Sequence, residues 1–141
     1  MDVDEIVLER LTFLRNELEY LKRERDETPS FKEYADNVRL KRAVERSLHV
    51  SVEACLDIGR RIIASKGFRY PEDNKDVFQI LYEGNLVSAE LLPALIDMAR
   101  FRNLIVHHYV RIDDAKIYAI LKKHLGDFDT FARVLAEYLE K

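Results

Sequence analysis

The stretch VERSLHVSVEACLDIGRRI, residues 44–62, decides the fold. Val44, Leu48, Ser51, Cys55, Ile58 and Ile62 recur at steps of four and three, the period of a helix that buries one stripe. No turn pair interrupts the run, and its length exceeds that of an ordinary strand. The helix extends outward from about Phe31 to Ser65. Lys66-Gly67 closes it, and a loop follows through Pro71. Gly59, inside the helix, either costs up to about 1 kcal/mol in propensity or lets another helix cross closely.

The same rhythm repeats on both sides. Upstream, Val7, Leu11, Leu14, Leu18 and Leu21 mark a helix from about Asp2 to Glu27, ended by Thr28-Pro29-Ser30. Downstream, a short helix is expected from Asp73 to Glu83, with Gly84 at its end. Ser88 caps a fourth long helix, in which Pro93 forces a late start or a bend. Ile117, Leu121, His124, Phe128, Phe131, Leu135 and Tyr138 mark one last helix from about Asp113 to Glu140, a phase that Gly126 does not break. The expected fold is all-α: an up-and-down bundle of four long helices plus one short helix.

The chain's 141 residues suit one domain, residues 1–141. Charged residues make up 35% and the formal net charge is −3, so any nucleic-acid binding must come from a local basic patch. No apolar run approaches a membrane span, and the acidic start Met1-Asp2-Val3-Asp4-Glu5 lacks the features of a secretory signal. Cys55 is the single cysteine, which excludes an intrachain disulfide and a cysteine zinc cluster. A cytoplasmic location is expected. Glycine-rich phosphate loops, His-Glu-x-x-His and Gly-x-Ser-x-Gly are all absent, so kinase, zinc and serine-elbow hydrolase readings have no support.

The chemistry concentrates in the fourth helix. Leu92, Leu95, Ala99, Arg102, Val106 and Tyr109 fall on one stripe, so Arg102 stands in an apolar ladder. An arginine there needs a carboxylate, a subunit interface or an anionic ligand, and its planar fork suits phosphate. A structural bridge to an acidic residue, with Asp57 and Asp97 as candidates, is the plain alternative. Asn103 and His107 share a second face, with His107 about 140° from Arg102 on an ideal helix. Either the helix frays near Val106 or the site is assembled from two chains.

Arg102, four residues, His107, one residue and Tyr109 together resemble the Arg-x4-His-x-Tyr signature of HEPN domains, in their HepT-like toxin branch. Phe101-Arg102-Asn103, Arg111-Ile112-Asp113, Ala43-Val44-Glu45-Arg46 and Cys55-Leu56-Asp57-Ile58-Gly59 extend the likeness over nearly the whole chain. The resemblance implies a HEPN-like, dimerising bundle that acts as a metal-independent endoribonuclease with no cofactor. It implies that Arg102 and His107 are catalytic. It also implies a partner, a minimal nucleotidyltransferase (MntA-like) antitoxin that attaches AMP to Tyr109. His108 adjoins His107 and stays an alternative, and Asn103 is a supporting residue.

Metal-free RNA cleavage needs a base for the 2′-hydroxyl, an acid for the leaving 5′-oxygen and a cation for the phosphorane. Histidine serves either proton role, and arginine holds the charge. One motif histidine per chain is one too few, and a two-fold homodimer would supply the second His107. Arg39, Arg42, Arg46, Arg100 and Arg111 are candidates for tracking the RNA backbone, unless they form only a solvated face. Arg60, Arg61, Lys66 and Arg69 form a second such cluster. His124 reads as a packed histidine, His49 as one without a partner motif, and Cys55 as a buried apolar residue. A different class also fits the same bundle, a non-catalytic helical subunit that docks a nucleotidyltransferase and presents its substrate.

Overall fold

The computed structural model describes residues 2–106 and 112–141. Among the described residues there are seven helices and no strand: α1 (Val3–Glu27), α2 (Phe31–Ala35), α3 (Val38–Lys66), α4 (Asn74–Glu83), α5 (Leu92–Val106), α6 (Asp114–Lys123) and α7 (Leu125–Leu139). The architecture is the expected all-α bundle, with two of its long helices each broken in two.

Local chemistry sets the helix starts. Side-chain oxygens of Asp2, Ser30, Asn37, Asp73 and Asp113 each accept a hydrogen bond from a first-turn amide of the helix that follows. Ser88 Oγ accepts the Leu91 amide at 3.1 Å, and the helix proper begins only at Leu92 with Pro93 in its first turn. Of the two outcomes Pro93 allowed, the late start is realised. Gly67 ends α3 in the left-handed region, φ 69°, which glycine adopts without steric cost.

The two breaks differ from the sequence reading. The helix expected over 31–65 stops at Asp36–Asn37, because the Asn37 side chain takes the Leu40 amide at 3.0 Å and restarts the chain as α3. The helix expected over 113–140 breaks at His124, whose φ of −119° and ψ of 5° leave the helical region. His124 is exposed there, bonded to Asp127 at 3.3 Å, and not packed in a seam. Leu125 takes the buried place instead, which keeps Phe128, Phe131 and Leu135 in the core.

α1 and α3 run antiparallel and form the central pair, tied by Arg10 to Asp57 at 3.0 Å and by Ser47 donating to Glu17 at 2.9 Å. Val7, Leu11, Leu14, Leu18 and Leu21 of α1 are all buried, as are Val44, Leu48, Ser51, Cys55, Ile58 and Ile62 of α3. α7 packs against α1, and α4 lies against α3 and α5. A Cβ on Gly59 would sit 2.6 Å from Val77 Cγ1, so the glycine does permit a close crossing of α3 and α4. Phe78 of α4 meets Phe131 of α7 edge to face, with centroids 5.9 Å apart. No helix of the described residues is long and apolar enough to cross a membrane.

Candidate active site on the α3–α5 face

α5 buries Leu95, Met98, Ala99, Phe101 and Ile105, and Leu91 just before it is buried as well. Arg102 lies at the edge of that stripe, half-buried, with 31% of its side chain exposed. Its guanidinium has found a carboxylate. Nε donates to Glu53 Oε1 of α3 at 2.6 Å, a short charge-assisted bond. The plain alternative, a bridge to an acidic residue, is thus realised, with Glu53 in place of Asp57 or Asp97. Asp57 holds Arg10 and Arg61, and Asp97 holds Arg100 at 3.2 Å.

The contact through Nε uses one edge of the fork. Nη1 donates weakly to Asn103 Oδ1 at 3.4 Å, and the same oxygen accepts from Asn74 Nδ2 of α4 at 3.5 Å. Asn74 in turn accepts from Arg60 Nη2. A polar chain therefore links α3, α5 and α4 around Arg102. Asn103 belongs to it through the guanidinium. His107, His108, Tyr109 and Arg111 lie outside the described residues.

Glu53 has a second neighbour that the sequence reading did not connect. His49 Nε2 lies 3.5 Å from the same Oε1, one turn earlier on α3. The i, i+4 spacing of His49 and Glu53 was the signal available in the sequence.

Arg39, Arg42 and Arg46 are exposed on α3, with no ion-pair partner among the described residues. Arg39, Arg46, Glu53 and Arg60 step by seven and therefore share a helix face. Of the second basic cluster, Arg61 is held by Asp57, and Arg69 is held by both Asp76 and Glu83. Arg69 keeps both carboxyls below their ordinary range.

Past the site, Lys41 of α3 bridges Asp114 at the start of α6, at 3.1 Å. Burial, and then the charge of Asp114, raise the Glu45 carboxyl above its ordinary value. The fully buried Tyr34 phenol nearby has no hydrogen-bond partner among the described residues. Burial likewise raises the Cys55 thiol, which disfavours a thiolate nucleophile. Among the described residues no group of three or more His, Cys, Asp or Glu could hold a metal ion.

Arg102 is thus braced at the edge of α5 by a carboxylate of α3. The chain's relationships specify the class. A model of the HepT-like ribonucleases matches residues 7–135, and the chain belongs to that family. It is 28% identical over 103 residues to the mRNA nuclease HepT of Shewanella oneidensis, covering 73% of this chain and 77% of that one. It is 23% identical over 139 residues to the tRNA nuclease HepT of Aphanizomenon flos-aquae, covering 98% and 93%. Its fold is that of the tri-AMPylated Shewanella oneidensis HEPN toxin solved in complex with MNT antitoxin. That match has a TM-score of 0.84 at 24% identity and covers 97% of this chain and 99% of that one.

Proposed function

We propose that this chain is a metal-independent endoribonuclease toxin of a toxin–antitoxin pair, cutting tRNA or mRNA. In this reading Arg102 and His107 are catalytic, and a homodimer brings two His107 side chains to one cleft. The observation that carries the reading is the bracing of Arg102. A guanidinium gripped through Nε by Glu53 offers its Nη edge to an anion in a set orientation.

The chemistry needs nothing beyond these groups. A base takes the proton of the RNA 2′-hydroxyl, and the 2′-oxygen attacks the adjacent phosphorus. Arg102 holds the charge that grows on the non-bridging oxygens. The bond to the 5′-oxygen breaks, and an acid protonates that oxygen. A 2′,3′-cyclic phosphate and a free 5′-hydroxyl remain. One His107 takes the base role and its dimer mate the acid role, with His108 as the alternative. Asn103 positions Arg102. Arg39, Arg42, Arg46, Arg100 and Arg111 track the RNA backbone.

Silencing follows from the same site. A minimal nucleotidyltransferase antitoxin attaches AMP to Tyr109, placing bulk and negative charge where the phosphate must sit. The AMPylated state of the structurally similar Shewanella toxin supports this step. The protein works in the cytoplasm.

The alternative, a non-catalytic docking subunit of a nucleotidyltransferase, draws support from the net charge of −3 and from the local balance of Arg102 by Glu53. One experiment separates them, the incubation of a mixed tRNA and mRNA pool with EDTA and either the unmodified chain or its His107→Ala variant. Cutting that leaves cyclic phosphate ends and disappears in the variant is the expected result. If neither chain cuts, with Tyr109 shown free of AMP by mass spectrometry, the docking reading takes over.

A further inference from the structure

The Arg102–Glu53 pair poses a difficulty for a phosphate site. A carboxylate 2.6 Å from the guanidinium cancels the charge that an RNA phosphate should meet. The structure holds a counterweight. His49 Nε2 lies 3.5 Å from the very oxygen that Arg102 engages, so a single Glu53 Oε1 is shared by an arginine and a histidine. His49 is half-buried, with 23% of its side chain exposed, and it projects from the same rigid helix as Glu53.

We infer that His49 sets the phosphate affinity of this site, an inference that rests on the ribonuclease reading above. With His49 protonated, the trio of Arg102, Glu53 and His49 carries one net positive charge. With His49 neutral, it carries none. Protonation also offsets the Glu53 charge, while the Nε contact that orients the fork stays in place. His49 is a positioning residue in this scheme: it acts through Glu53 and transfers no proton to RNA.

Among the described residues, the surroundings leave this trio as the local balance. On α3 the charged neighbours of His49 are Glu45 and Glu53, four residues to either side, and Arg46 three before. From α5 it meets Arg102 through Glu53. α1 brings Arg10 and Glu17 to α3, but onto Asp57 and Ser47. α4 reaches the trio through Asn74, which is uncharged. From α6, Asp114 is tied to Lys41, two turns before His49. Glu45 feels Asp114, Lys41 and Arg42, so its charge belongs to that outer group.

The effect is readable as binding without cutting. The full chain carrying His107→Ala and His108→Ala is titrated with a labelled tRNA pool from about pH 5.5 to about pH 8. Within that background the dissociation constant should rise about fourfold across the range, the effect of one charge roughly 10 Å from the phosphate in a half-solvated site. Adding His49→Gln should leave binding weak and nearly flat with pH. Adding His49→Lys should leave it tight and nearly flat, a rescue that a purely structural role would not produce. On the otherwise unmutated chain, His49→Gln should raise KM and leave kcat within about threefold, less than the tenfold that each 1.4 kcal/mol of barrier represents.

A His49→Gln protein that keeps the parent's pH slope overturns the inference and leaves the ribonuclease reading standing. So does one that loses kcat at unchanged KM, which would make His49 a proton-transfer group. If His49→Gln does not fold, the flat, tight His49→Lys curve decides alone. No binding and no cutting by the unmutated chain would overturn both.

Discussion

Replacing Arg102 by lysine separates the two things an arginine in this place can be, a structural tether to Glu53 or a clamp for phosphate. The positive charge survives, but the fork is lost. A lysine ammonium can keep a single contact with Glu53, and cannot engage Glu53 through one edge while presenting a second edge to a planar group of oxygens. The stability at stake is small. The pair is 31% and 39% exposed on its two side chains, and bridges of that kind contribute about 0–1 kcal/mol. The Nη1 contact to Asn103, at 3.4 Å, is too long to add much. Unfolding in urea should therefore shift by no more than about 1 kcal/mol. Losing an oriented donor from the transition state of a phosphodiester attack costs about 3–4 kcal/mol, a drop of roughly 10²–10³ in kcat. Activity should thus fall more than tenfold further than stability can explain. The assay is single-turnover cleavage of labelled RNA in EDTA, with urea unfolding of the same preparation. An Arg102→Lys enzyme that cuts within about threefold of the parent would refute the clamp, because a shortfall that small is under 1 kcal/mol of barrier.

Three further perturbations follow from the packing and the titrating groups. Gly59→Ala gains about 1 kcal/mol of helix propensity but drives a methyl against the stiff, buried Val77, an overpacking cost of about 1–3 kcal/mol; urea unfolding should show net destabilisation, partly relieved in the Gly59→Ala, Val77→Ala double variant, and a stabilised single variant would contradict the close crossing. Glu45 has its carboxyl raised in the folded state, so the fold holds that proton longer and loses stability as pH rises from the unfolded value through the folded one. Glu45→Gln should then be more stable than the parent at neutral pH and lose that advantage below about pH 4, which melting curves against pH will show. Tyr34→Phe removes a buried hydroxyl with no partner among the described residues and should raise stability by about 1 kcal/mol, whereas a comparable loss in urea unfolding would reveal a partner for it.

The bundle was legible because its seams are regular. Each residue assigned to the stripes of α1 and α3 is buried, from Val7 to Leu21 and from Val44 to Ile62. Periodicity records which face is apolar and says little about continuity, so the breaks at Asn37 and His124 were invisible to it. Asn37 interrupts by a side chain competing for an amide, and neither proline nor glycine announces it. At His124 the break exchanges one residue for its neighbour in the core, Leu125, and the downstream phase continues. The candidate site could be read only as a string of residues and not as an arrangement. Arg102 and Glu53 are 49 positions apart, and nothing local to either marks the pairing. Asp57 was a reasonable partner by helix face, but Arg10 of α1 and Arg61 already hold it.

That partition has a structural reason, which lies in α3. The signature begins on α5 with Arg102, and its chain re-enters the described structure before α6. Both flanks are tied to the same helix, Arg102 to Glu53 on one side and Asp114 to Lys41 on the other. Lys41 and Glu53 are twelve residues apart, about 18 Å along a straight helix. One continuous helix of 29 residues thus sets the distance between the two moorings of the segment that carries His107 and Tyr109. Such a platform needs rigidity more than any particular surface chemistry, and it obtains rigidity from burial: α3 is packed by α1, α4 and α5 along its length. The core residues that made the fold readable therefore also hold the site in register. His49 projects from the platform between these two moorings, one turn before Glu53 and on the same face of α3.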